Sequence, residues 1–366
     1  MRVLHYISGV FPDIGGIERF VLNVSAAEKF QMAVLTRYVD KESQAYKSMV
    51  AAGIDVYSLD IRHLDLNSYL QYTTKLKEFF NENINEYEVV HIHSNEDPQV
   101  AKLARVAGYK KIIIHVHSRS GRGNLILKAL KRITFLSNCR YADCFFACSR
   151  KIAQEVYPHK IESKAIVIKN GIETIHFKYD ATVRAEKRMQ YGVNDLMLCH
   201  VGRFVKVKNQ DFVVDVFNEV LKHRSNAKLL LVGDGPDKNE IMNKCRELGI
   251  SQNVIFVGGI SNVSPFFQAS DFFVFPSLNE GLGMVAIEAQ ASGLPVMAAK
   301  DNVPNEIKVT DLVSFIPLDD NPKVWAEYIL RELGKSYVDR EQYYNQVKEA
   351  GFDIESTAEQ LYKCYL

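Results

Sequence analysis

No run of apolar residues in this chain approaches the ~20 needed to cross a bilayer. Residues 1–7 are too short an apolar start for a secretory signal. Charge of one sign is missing too: 45 Lys and Arg stand against 44 Asp and Glu, a formal +1. A generic nucleic-acid coat would need a broad basic surplus, so that class is excluded. Six cysteines stand at 139, 144, 148, 199, 245 and 364 with no C-x-x-C pair and no zinc spacing, which reads as reduced thiols and no metal centre. The phosphate-loop signature G-x-x-x-x-G-K-[ST] is absent, and no G-x-G-x-x-G is complete, so P-loop and dinucleotide-oxidoreductase readings are weak. No D-x-D closes a strand, because Asp60 and Asp319-Asp320 sit in poorly patterned segments. What is left is a soluble protein, expected in the cytoplasm.

What the chain does have is a pattern that repeats. Its 366 residues, 47% hydrophobic and 24% charged, suggest two domains of ordinary globular composition. Short apolar runs at 3–7, 32–35, 89–93, 112–116, 144–147 and 165–168 read as buried strands, with helical spacing at 17–29, 69–83 and 98–107 between them. The second half repeats the logic, with strands at 197–201, 228–232, 254–257, 272–275 and 295–298. Helices are expected there at 210–223, 237–248, 264–269 and 284–292. Continuous Val/Ile/Leu/Phe strands separated by helices mean parallel sheets covered on both faces. The fold class is therefore α/β, as two doubly wound Rossmann-like domains facing across a cleft. Domains are expected at 1–172 and 173–351, with a C-terminal helix at about 352–366 that packs back onto the first. Residues 1–180 carry 25 Lys/Arg and 19 Asp/Glu, and the remainder 20 and 25, which suggests different partners for the two halves.

Ligands of such sheets bind beyond the carboxyl ends of the strands. After the first strand, Gly15-Gly16 opens a helix, where backbone N–H groups and the helix dipole suit a phosphate. An ordinary strand–helix turn is the plainer alternative for that pair. The strand at 197–201 runs into Gly202-Arg203-Phe204-Val205-Lys206-Val207-Lys208, where Arg203 and Lys208 are two cations placed to clamp a diphosphate. The strongest local signal is 276–289, which contains Glu280-Gly281-Leu282-Gly283 and then Glu288. Gly281 and Gly283 would expose backbone donors at a helix start. Glu280 and Glu288, eight residues apart, span a little over two turns at ~3.6 residues per turn, so both can face one side.

These residues resemble the retaining family-4 glycosyltransferases of the GT-B fold, bacterial surface-polysaccharide type. The frame Glu-Gly-x-Gly-x4-Glu-Ala from Glu280 to Ala289 matches that family's E-x7-E motif. Gly15-Gly16, Asn170-Gly171-Ile172, Gly202-Arg203 with Lys208, Gly233-Asp234-Gly235-Pro236 and Val257-Gly258 fall in the family's order. The resemblance implies that Arg203 and Lys208 bind the donor's diphosphate and stabilise the leaving nucleotide. Glu280 would hold the donor hexose with the backbone of Gly281, Leu282 and Gly283, Glu288 the ribose hydroxyls, and Gly16 the phosphate from the other domain. His117 matches the family's histidine beside the donor sugar. His115 is its rival, since His115-Val116-His117 alternates and only one of the two is expected to face the cleft. The catalytic set expected is His117, Glu280, Arg203 and Lys208, with no metal and no cofactor beyond the nucleotide sugar, the fixed cations replacing a divalent ion.

Arg119, Arg122, Lys128, Lys131, Arg132 and Arg140 flank apolar Ile126, Ala129, Leu130, Ile133 and Leu136 at helical spacing. A cationic amphipathic helix over 119–140 suits an anionic membrane surface; a core-facing helix with a solvated basic face is the alternative. The expected function is retaining transfer of a hexose from a UDP-sugar to a glycan or lipid-linked acceptor in cell-surface polysaccharide or glycoconjugate assembly. The rivals are a sugar-nucleotide epimerase and a non-catalytic sugar-nucleotide-binding subunit.

Overall fold

The apolar runs form the strands of two all-parallel sheets. The first holds β1 (Arg2–Val10), β2 (Gln31–Tyr38), β3 (Asp55–Ser58), β4 (Val89–Ile92), β5 (Lys111–Val116), β6 (Cys144–Ala147) and β7 (Ile166–Val167), in spatial order β3-β2-β1-β4-β5-β6-β7. The second holds β8 (Met197–Val201), β9 (Lys228–Val232), β10 (Val254–Gly258), β11 (Phe272–Phe275), β12 (Val296–Ala299) and β13 (Val313–Ile316), in order β10-β9-β8-β11-β12-β13. This computed structural model describes residues 1–10, 15–93, 97–118, 125–260, 262–319, 321–333 and 339–366. Both orders turn back on themselves once, between β1 and β4 and between β8 and β11, and ligands of doubly wound sheets bind at such a switch point.

Two edge strands were not among the sequence expectations, β3 and β13. Each has a neighbour on one side only and is part-exposed, so neither carries the continuous apolar run that marks a central strand. The central strands are the readable ones: β4, β8 and β11 are buried along their whole length.

The chain divides into a first unit, residues 1–171 with 354–366, and a second, residues 172–353. The helix Ile354–Tyr365 belongs to the first because its apolar stripe enters that unit's core. Ile354, Leu361 and Tyr365 join Val3, Val21, Val24 and Ile168 there. Burying Ile354 and Leu361 is worth roughly 1.5–3 kcal/mol each. Polar ends fix the register: Thr357 Oγ1 donates to Lys169 O at 2.8 Å and Gln360 Nε2 to Val167 O at 3.1 Å. In the second unit the only tryptophan, Trp325, is fully buried and meets Phe212 edge-on at 5.3 Å.

Candidate functional site

In the second unit, β8 and β11 are neighbours, so the loops leaving their carboxyl ends meet at the switch point. Leu278 N donates to Val207 O at 2.8 Å and Asn209 Nδ2 to Pro276 O at 3.1 Å, tying the two loops together. Across that seam Lys208 Nζ lies 2.5 Å from Glu280 Oε1. The pair is mostly withdrawn from water, with 22% and 11% of the side chains exposed, so it is held more firmly than a surface ion pair. Arg203 is exposed, and among the described residues its guanidinium has no ion-pair or hydrogen-bond partner. Its backbone, in contrast, is pinned. Gly202 N donates to Val232 O at 3.0 Å, Phe204 N to Asp234 O at 2.9 Å, and Gln210 Nε2 to Arg203 O at 2.9 Å.

The Gly233-Asp234-Gly235 turn explains that pinning. A Cβ on Gly233 would lie 2.1 Å from Gly202 O, and one on Gly235 2.4 Å from Phe204 O. Both residues have positive φ, +138° and +155°. These glycines let two backbones touch, and so place Arg203.

The helix of the E-x7-E frame begins at Met284, capped by Gly283 in the left-handed region at φ 85°. Glu280 therefore sits in the loop, and the turn count that put it on one helical face with Glu288 does not apply. What fixes Glu280 is the bond from its own N to Asn302 O at 3.3 Å and the Lys208 pair. Glu288 stands on the second helical turn, half-buried and engaged with a neighbour. Leu282 is buried, and Gly283 packs on Phe275, which a Cβ would approach to 3.0 Å.

Sequence reasoning missed two residues beside this seam. His200, next to last in β8, is buried; its Nδ1 lies 2.9 Å from Val274 O, and its Nε2 has no partner among the described residues. Burial pushes its pKa down to about 4. Ser277, the second residue after β11, is also fully buried, and its Oγ has no partner among the described residues. A histidine closing an apolar strand was the only signal for the first, and none marked the second. A larger depression of about 580 Å³, bordered by Asn194, Asn226 and Gln252, lies at the amino ends of β8, β9 and β10. That is the wrong edge of the sheet for a ligand at the switch point.

In the first unit the structure corrects the expectation for His115 and His117. Alternation puts residues two apart on the same face of a strand, not on opposite faces. Both imidazoles therefore share one face, their ring centroids 4.0 Å apart. His115 is fully buried and His117 half-buried. The same face carries His5 of β1 with His91 and His93 at the end of β4, since register pairs His5 with His91. His93 lies between two partners: its Nε2 is 2.8 Å from His5 Nδ1 and its Nδ1 2.8 Å from His117 Nε2. His91 bonds His115 at 3.2 Å and Tyr365 Oη at 2.7 Å. Burial lowers all five pKa values, those of His5 and His117 to about 3, so the imidazoles are neutral near pH 7.

Gly15 and Gly16 lie exposed at the start of the helix Gly16–Ala26, and a Cβ on Gly16 would meet nothing within 4 Å. The Glu18 carboxyl folds back on this helix start: burial raises its pKa, while bonds from the N–H groups of Glu18 and Gly15 lower it. A carboxylate thus occupies the position a phosphate would take. Of the basic segment, Arg119 and Arg122 lie outside the described residues, as does Asp320. The helix Leu125–Cys139 exposes part of its apolar stripe, Leu130 at 55% and Ile133 at 63%, while Phe135 and Cys139 face inward. The core-facing alternative for the stripe is therefore wrong at those two positions. Among the described residues, no helix is long and apolar enough to cross a membrane.

Residues 14–175 match the family model described as Glycosyltransferase Family 4, and residues 183–350 the model described as Glycosyl transferases group 1. Putative glycosyltransferase EpsF of Bacillus subtilis (strain 168) is 27% identical over 379 residues, covering 100% of this chain and 96% of the relative. N-acetyl-alpha-D-glucosaminyl L-malate synthase of Bacillus anthracis is 35% identical over 130 residues, 35% of this chain and 33% of that enzyme. Among solved structures, Anabaena Alr3699/HepE in complex with UDP superposes with a TM-score of 0.81 at 17% identity, covering 100% of this chain and 99% of that one. Its complex with UDP-glucose gives 0.78 at 18%, with the same coverage. At that identity the likeness establishes the fold.

Proposed function

The chain belongs to the family-4 glycosyltransferases of the GT-B fold, and from that premise we propose that it moves a hexose from a UDP-sugar to a glycan or lipid-linked acceptor, with retention and without a metal ion. The product serves cell-surface polysaccharide or glycoconjugate assembly, in keeping with the full-length similarity to EpsF. The observation that carries this reading is the Lys208–Glu280 pair over the β8/β11 switch point, with Arg203 on the same β8 loop and, among the described residues, without an ion-pair partner. The bond from the anomeric carbon to the diphosphate breaks with its electron pair passing to the phosphate oxygen. Arg203 and Lys208 stabilise that growing negative charge, the work a divalent cation does elsewhere. Glu280 orients the hexose, Glu288 holds the ribose hydroxyls, and His117 is the histidine assigned to the donor sugar. The acceptor oxygen bonds the anomeric carbon on the face the nucleotide leaves, and its proton passes to the departing diphosphate. The solved relatives bound to UDP and UDP-glucose support UDP as the nucleotide.

The protein works in the cytoplasm, at the inner face of an anionic membrane. Support comes from exposed Leu130 and Ile133 beside Arg132 on one helix, an amphipathic cationic surface.

Thermal unfolding against UDP, GDP, ADP, CMP and NAD tests the donor class. A nucleotide at 100 times its Kd stabilises by about 2.7 kcal/mol. A shift with UDP supports the reading; a shift with NAD and none with the others overturns it. Activity undiminished by EDTA supports metal-free transfer, whereas a strict Mn²⁺ or Mg²⁺ requirement refutes it. Proton NMR of the first-formed product reads retention directly, and interconversion of UDP-sugars without acceptor would point to an epimerase instead.

A further inference from the structure

Five of the ten histidines gather on one face of the first sheet, and the sugar chemistry proposed for this protein needs one of them. The other four are expensive residues for a sheet interior, since buried polar rings cost free energy unless paired. Pairing is incomplete: among the described residues, the buried His5 Nε2, His115 Nε2 and His117 Nδ1 have no hydrogen-bond partner. His115 and His117, with His93, border a pocket of about 190 Å³ whose wall also includes Ser8 and Ile17. One ring nitrogen from each of these three histidines lies within 4.8 Å of one from each of the other two.

From this geometry we infer that His93, His115 and His117 form a binding site for a borderline transition cation, Zn²⁺ being the representative. Neutral imidazole is the ligand such ions prefer, and three histidines with one open position for water is a known zinc arrangement. At metal–nitrogen distances of ~2.0–2.1 Å, tetrahedral ligand nitrogens stand about 3.3 Å apart. The three ring nitrogens, all within 4.8 Å of one another, close on that spacing by side-chain rotation. The 2.8 Å contact between His93 Nδ1 and His117 Nε2 opens slightly to admit the ion, exchanging a hydrogen bond for two metal bonds.

The residues behind the three supply the support that metal-binding histidines use. His115 Nδ1 faces His91 Nε2 at 3.2 Å, and His91 Nδ1 faces Tyr365 Oη at 2.7 Å. With His115 Nδ1–H donating to His91, and His91 Nδ1–H to Tyr365, His115 Nε2 keeps its lone pair for the ion. His5 braces His93 in the same way at 2.8 Å. The alternative trio of His5, His91 and His93 also satisfies the spacing, but His5 and His91 do not line the pocket and both are fully buried, with Tyr365 against His91. The pocket side is where an ion and its water enter.

Binding follows from the geometry alone; its consequence rests on the role proposed for His117. An ion held by His117 removes that ring from the donor sugar, so the cation inhibits transfer. The test uses the full chain stripped with EDTA and titrated with Zn²⁺ by calorimetry and with Co²⁺ by visible absorption. The expected result is one equivalent bound, with the strong Co²⁺ bands of a low-coordinate nitrogen site. His117→Gln, at the pocket rim, should weaken binding at least ~10-fold, and so should His115→Gln, once both variants unfold cooperatively. His200→Gln, a buried histidine of the other unit, should bind as the parent does. Weak binding of several equivalents, unaffected by His117→Gln and His115→Gln, would mean only the exposed His63, His159, His176 and His223 take the ion, and would overturn the inference. If one equivalent binds but transfer persists with the site filled, the cation site stands and the sugar-binding role of His117 falls.

Discussion

Gly233→Ala and Gly16→Ala alter two glycines of similar setting, each between a strand and a helix, and the structure assigns them opposite outcomes. A Cβ on Gly233 would lie 2.1 Å from Gly202 O and 2.9 Å from Gly202 C. Relief needs the β8 and β9 loops to part by more than about 1 Å, since a Cβ under 3.0 Å from a neighbour is essentially never seen and both partners are backbone. The φ of +138° adds backbone strain of roughly 1–3 kcal/mol for an L side chain. Overpacking adds roughly 1–3 kcal/mol more. The sum, roughly 2–6 kcal/mol, is a large part of the roughly 5–15 kcal/mol that holds a domain. Parting the loops also breaks the bonds from Gly202 N to Val232 O and from Phe204 N to Asp234 O, between which Arg203 stands, so UDP affinity falls as well. Urea unfolding followed by the fluorescence of Trp325, the sole tryptophan and a core residue of the same unit, reads the first effect. UDP titration reads the second. Gly16→Ala meets nothing within 4 Å and should leave stability within about 0.5 kcal/mol. On the role proposed for Gly16 at the donor phosphate, it should still lower turnover. A Gly233→Ala protein as stable as the parent, with unchanged UDP affinity, would refute the idea that these glycines exist for backbone contact.

Three further outcomes are expected. Lys208→Ala strands the Glu280 carboxylate and should weaken both UDP binding and turnover, while Glu280→Ala should keep nucleotide binding and lose transfer; equal losses of affinity in both would contradict the division of roles. His200 titrates at about 4 when folded and at 6.5 when unfolded. Because the folded value is the lower, its contribution is intact above pH 6.5 and is lost as pH falls towards 4. At pH 5 the loss is about 2 kcal/mol, so His200→Gln should flatten the acid side of the Trp325 urea-unfolding profile, and an unchanged slope would contradict this. Leu130→Ser with Ile133→Ser should abolish co-sedimentation with anionic vesicles at unchanged thermal stability, since both side chains are already exposed; undiminished sedimentation would end the membrane assignment.

Element type was legible wherever burial was two-sided. The central strands β4, β8 and β11 are continuous apolar runs, and the loops after β8 and β11 carry their cations, acid and glycines in plain view. Edge strands β3 and β13 were not legible, because one-sided pairing and partial exposure leave them the mixed composition of a loop. At the site, residue types were readable but partners were not. That Lys208 pairs with Glu280 depends on β8 and β11 being neighbours, a fact of sheet order that joins positions 72 apart. Gly233-Asp234-Gly235 looked like part of a ligand motif, and its contact with Gly202 and Phe204 becomes visible only when two loops are superimposed in space.

The histidines teach the same point more sharply. His91-x-His93 and His115-x-His117 are period-two repeats, and a strand's geometry alone requires each pair to share a face. That much was available from the sequence, and treating His115 and His117 as rivals discarded it. What no sequence could supply is the register, β1 against β4 and β4 against β5, that sets His5 beside His91 and brings His93 between His5 and His117. Period decides which face a side chain takes, and register decides which side chains meet there. In this first unit the two together turn scattered imidazoles into a bonded cluster at the carboxyl edge of the sheet, where a doubly wound fold places its chemistry.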